Sequence, residues 1–79
     1  MPRYLVASEL CLPYERLLQR RELGSFVGLA EAEQFAAAAS LHVLDGTGPN
    51  RVVIIDRANG TLLVRYHRLE EPAFIVEKA

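Results

Sequence analysis

The stretch Arg51-Val-Val-Ile-Ile-Asp-Arg-Ala-Asn-Gly-Thr-Leu-Leu-Val-Arg-Tyr-His-Arg68 decides the fold. It holds two runs rich in β-branched and aromatic residues, separated by Asn59-Gly60. That dipeptide is a preferred centre for a two-residue type I′ hairpin turn. Such a turn would set Ile55 opposite Val64 and Val53 opposite Tyr66. One face of the hairpin would then carry Val53, Ile55, Leu62, Val64 and Tyr66 towards a helix. The other would carry Val52, Ile54, Asp56, Leu63, Arg65 and His67, a mixture of aliphatic and charged groups.

Outward from the hairpin, residues 29–42 (LAEAEQFAAAASLH) predict the main helix. Leu29, Ala32, Phe35/Ala36, Ala39 and Val43 recur at helical spacing, and alanine has the highest helix propensity. Residues 3–12 read as a partly buried strand, and 73–77 (AFIVE) as a short final strand, with Lys78-Ala79 fraying. Residues 45–50 form a loop by composition. Residues 14–23 (YERLLQRREL) carry two signals. Pro13 before them, Gly24 after them and the spacing of Tyr14, Leu17, Leu18 and Arg21 suggest a short helix. A hairpin continuing into Phe26 is the rival, and it would add a strand. The expected architecture is a single α+β domain over 1–79. A small antiparallel sheet of three to four strands packs on one main helix, in the order β-(α or β)-α-β-β-β.

Length and charge narrow the function classes. A chain of 79 residues is too short for a dinucleotide-binding domain or a barrel of eight β/α units. So small a domain leaves little core, and oligomerisation is one remedy. Nine basic and ten acidic residues give a formal net charge of −1, without the basic excess of a generic nucleic-acid binder. Cys11 is the only cysteine, which excludes an internal disulfide and fits a reducing cytoplasm. No apolar run reaches the ~18 residues of a membrane span, and no signal-peptide pattern follows Met1.

Chemistry-bearing motifs are sparse. Gly46-Thr47-Gly48 lacks the lysine of a phosphate loop. His42, His67, Cys11 and Asp45 lack metal-ligand spacing. A Cys11–His67 nucleophile pair competes with Cys11 as a small hydrophobe in an apolar strand. Glu31/Glu33 and Glu70/Glu71 read as solvated charge. A chain this short is also expected not to enclose a pocket of ~300 Å³. No enzyme activity, cofactor, metal or small-molecule substrate is therefore expected.

What remains is a non-enzymatic protein-interaction module, acting on itself as a homodimer or on another protein. Its contact residues would be Val52, Ile54, Leu63, Arg65, His67 and Arg68 on the mixed hairpin face, or an exposed sheet edge. Two alternatives stand beside it. One is a small phage or mobile-element inhibitor that blocks a host machine, of the anti-CRISPR kind, suggested by size alone. The other is weak nucleic-acid binding through Arg20, Arg21, Arg65 and Arg68. The alternation that separates Tyr66 from Arg65 and His67 argues against it.

Overall fold

The computed structural model describes residues 2–12, 16–44, 48–68 and 74–78, without the side chains of Arg68 and Phe74. Five strands and one helix follow in the order β1 (Tyr4–Leu12), β2 (Arg16–Phe26), α1 (Leu29–Val43), β3 (Arg51–Asp56), β4 (Thr61–Arg68) and β5 (Phe74–Lys78). The strands form one antiparallel sheet ordered β2-β1-β3-β4-β5. The expected α+β class holds, with five strands instead of three to four.

The fifth strand is β2, where the hairpin reading of residues 14–23 replaces the short helix. Residues 13–15 lie outside the described part. The reason lies in β1. Its residues Leu5 to Glu9 are buried on both faces, so its outer backbone edge needs hydrogen-bond partners. The segment beside it in sequence supplies them, from Tyr4↔Phe26 to Leu12↔Arg16. An isolated helix of about ten residues is marginal in water, and the ladder outcompetes it. Two register shifts, at Val6/Ala7 and Leu10/Cys11, leave Leu23 and Leu18 as extra residues on β2. Such bulges coil an edge strand.

On the other side of β1, Asn50 lengthens the seam with β3. Its backbone N–H donates to Glu9 O at 3.0 Å. Its side-chain Nδ2 donates to Cys11 O at 2.7 Å, while Oδ1 accepts from Cys11 N at 3.0 Å. One amide side chain thus does for Cys11 what a further strand residue would do.

Helix α1 buries Ala32, Ala36 and Ser40, spaced four apart, against the sheet. These short side chains let the backbone of α1 approach closely. The Ser40 hydroxyl is satisfied by donating to Ala36 O at 2.7 Å. Beneath them lie Val6, Val52, Ile54, Val64 and Tyr66, with Leu44 closing one end. Phe35 stays partly exposed and packs on Phe26 with ring centroids 5.0 Å apart. Lys78, expected to fray, ends β5 and pairs with Glu33 of α1 at 3.2 Å.

The β3–β4 hairpin is present, but its register differs from the expected one by two residues at the turn and by one residue from Ile54 back to Arg51. The observed partners are Val52↔Tyr66, Val53↔Arg65 and Ile54↔Val64, then Ile55↔Leu62 and Asp56↔Thr61. The turn spans four residues, Arg57 to Gly60, rather than two. Asp56 organises it. Its carbonyl accepts from Gly60 N at 2.7 Å, and its carboxylate accepts from Ala58 N at 2.9 Å. Gly60 takes φ 72°, which L side chains avoid. A shift between Ile54 and Ile55 then leaves Leu63 as an extra residue on β4. The slip exchanges faces. Val52 and Ile54 join Val64 and Tyr66 beneath the helix. Val53, Ile55 and Leu62 move to the far side.

Candidate functional site

This slip disperses the expected contact set. Val52 and Ile54 are fully buried in the helix-side core, and Leu63 packs against that core. Arg65, opposite Val53, and His67, opposite Arg51, lie on the far face. Arg68 ends β4 opposite Phe74, and its side chain is outside the described part. The six residues therefore do not form one surface.

The far face has an organisation of its own. Cross-strand partners share a face, so one row runs Glu22, Ala7, Val53, Arg65, Glu77 and the next runs Arg20, Glu9, Arg51, His67, Ile75. Ala7 and Val53 are as enclosed as the helix-side core, and Glu9 is only 1% exposed. Two guanidinium groups hold its carboxylate. Arg51 Nε donates to Oε1 at 2.7 Å and Arg20 Nε donates to Oε2 at 2.6 Å. A buried carboxylate is tolerated only when paired and hydrogen-bonded in this way. His67 contacts Glu77, and Arg57 reaches Glu22 at 3.5 Å. The face is thus closed by charge pairs and is not an open apolar patch. The sequence carried one signal for this network: Glu9 is the only charged residue in the strand YLVASELCL.

At the entrance to the hairpin, Arg3 binds Asp56 in a fork, Nε to Oδ1 at 2.9 Å and Nη2 to Oδ2 at 2.8 Å. The hydrogen bonds from Arg3 and from Ala58 N hold the Asp56 carboxyl below the usual aspartate range. Burial, with Glu33 nearby, raises the Tyr66 phenol above its ordinary value, while its hydroxyl donates to Glu33 O at 3.2 Å.

The two sheet edges differ. Along β2, every residue from Arg16 to Glu22 is exposed, and three of them are arginines. Arginine or lysine on an edge discourages pairing with another chain. Strand β5 offers Ile75 and Val76, 47% and 45% exposed on opposite faces, with charge only at its end, Glu77-Lys78.

A cleft of about 670 Å³ opens on the helix side between the C-terminal end of α1 and the β1–β2 ribbon. On so short a chain this space stands open to solvent rather than enclosed. Ser8, Leu10 and Leu23 line it from the sheet, His42 and Val43 from the helix, and Arg21 from β2. Among the described residues, no group of three or more His, Cys, Asp or Glu could hold a metal ion. Cys11 Sγ faces a carboxylate oxygen of Glu9 at 4.0 Å, not an imidazole. No helix among the described residues is long and apolar enough to cross a membrane. No family model, curated protein or solved structure matches the chain.

Proposed function

We propose that this chain is a non-enzymatic protein-interaction module that forms a homodimer by pairing β5 with β5 of a second copy. The observation that carries this reading is the contrast between the edges: on β2 the exposed Leu17 and Leu18 are flanked by Arg16, Arg20 and Arg21, while on β5 the exposed Ile75 and Val76 have charge on one side only. A second copy fits the strand's own charge pattern. Antiparallel self-pairing centred on Val76 sets Ile75 opposite Glu77 and Phe74 opposite Lys78, so no like charges meet. The near-zero net charge adds little repulsion between copies. Two five-stranded sheets would then continue across the two-fold axis, a common mode of strand addition. Cys11, the only cysteine of the chain, suits a cytoplasmic setting.

This reading moves the contact surface from the mixed hairpin face to the edge, the other location that the sequence allowed. Nucleic-acid binding loses support, because the Arg20 guanidinium is engaged by Glu9. The inhibitor alternative rests on size alone, and no feature of the geometry favours it.

Light scattering after size exclusion tests the dimer directly. The expected mass at high micromolar concentration is twice the 8.8 kDa of one chain. Val76→Lys should return it to one chain mass without changing the circular dichroism, while Leu18→Lys on β2 should leave the dimer intact. A wild-type monomer at millimolar concentration, or a dimer broken only by the β2 change, overturns the proposal.

A further inference from the structure

We infer that the cleft at the C-terminal end of α1 binds a small amphiphilic anion, a carboxylate or phosphate group on a short apolar chain. Its lining combines apolar and polar side chains. Leu10, Leu23 and Val43 supply apolar wall, while Arg21 and His42 supply cationic or hydrogen-bonding groups. No acidic side chain lines it among the described residues, in a chain with ten acids.

The state of Arg21 points the same way. Arg3, Arg20, Arg51 and Arg57 each have a carboxylate partner, whereas Arg21, like Arg16, has none among the described residues, and Arg21 is the one of these two that lines the cleft. It is the direct cross-strand neighbour of Ser8, whose side chain is buried beneath the helix layer, so Arg21 stands on the cleft side of β2. A guanidinium offers paired N–H donors that match either carboxylate or phosphate oxygens. The cleft volume falls within the ~300–1,000 Å³ typical of small-ligand sites. The apolar wall accounts for a tail and the unpaired arginine for a head group. A bare inorganic anion would leave the wall unused, and a neutral hydrocarbon would leave Arg21 unused.

The site lies along β2, at the opposite edge of the sheet from β5, so it stands or falls independently of the dimer. Octanoate, octyl phosphate and octanol, titrated into the ¹⁵N-labelled full chain, are suitable probes. The expected result is saturable shifts of the Ser8, Leu23 and Val43 amides with at least one anion, and at least tenfold weaker binding of octanol. Whichever anion binds more tightly identifies the head group. Arg21→Gln should weaken that anion about tenfold and leave octanol unchanged, and Arg21→Lys should restore part of the loss. Arg21 is exposed, so neither change threatens the fold. Absence of saturable shifts at millimolar ligand, equal binding of octanol and octanoate, or indifference to Arg21→Gln overturns the inference.

Discussion

On its helix side the sheet buries Val6, Val52, Ile54 and Val64 beneath Ala32 and Ala36. On its far side Ala7, Val53 and Glu9 are enclosed just as fully, yet no helix among the described residues lies above them. The first face excludes water with a second layer of secondary structure. The second does so with its own long side chains, short residues alternating with arginines and glutamates whose charges cancel in pairs. A small chain with one helix among its described residues can therefore enclose both faces of a sheet. The far side depends on groups that tolerate enclosure only together, since losing one partner strands the other. The helix side depends chiefly on packed volume.

Substitutions on each face should separate these two modes. The largest effect is expected from Ile54→Ala on the helix side, a loss of about 4 kcal/mol in urea unfolding from the transfer and cavity terms. Glu9→Gln keeps the shape but removes the charge shared by Arg20 and Arg51, and should cost about 3 kcal/mol. A double variant, Glu9→Gln with Arg51→Met, should recover part of that loss. If Glu9→Gln costs under about 1 kcal/mol, ion pairing does not hold the far face and the contrast fails.

Tyr66→Phe comes next, at about 1 kcal/mol for the hydrogen bond to Glu33 O. It also carries a pH signature. The Tyr66 phenol is raised in the folded state, so its protonated form is favoured there. Wild-type stability should fall as pH rises above the ordinary tyrosine value of ~10. The Phe variant should lose that slope. The smallest effect is at the acid end. The Asp56 carboxyl is held low by Arg3 and Ala58 N, so its contribution is present above the unfolded aspartate value of ~3.9 and lost as pH falls below it. Asp56→Asn should flatten the acid limb of the stability curve.

The sequence made some of this legible and hid the rest for physical reasons. Alanine-rich 29–42 announced its helix because propensity and periodicity agreed. Asn59-Gly60 announced a hairpin, but not its register. The turn length depends on whether Asp56 captures the N–H groups of Ala58 and Gly60, and the resulting slip turns Val52 and Ile54 to the face of Val64 and Tyr66. That slip is why Val52 and Ile54, read as contact residues, lie in the core. Segment 14–23 misled because its helical signals are local, whereas its strand is dictated by the bare edge of β1. Glu9 carries its own signal in the sequence: a lone carboxylate in an apolar strand requires cationic partners on its neighbours.

Strand order also bears on how the molecule assembles. The β1–β3 seam joins residues 4–9 to 51–56, whereas every other pairing joins strands consecutive in the β order. Hairpins close in roughly microseconds, but the seam must wait for a long loop to close around α1. On the ribosome, β1, β2 and α1 emerge well before β3, at ~5–20 residues per second. For a span on the order of seconds, β1 can pair only along the edge that takes β2, and its other edge is bare. The nascent chain thus passes through a stage in which its most apolar strand is open to any partner, until Arg51–Asp56 arrives to occupy it.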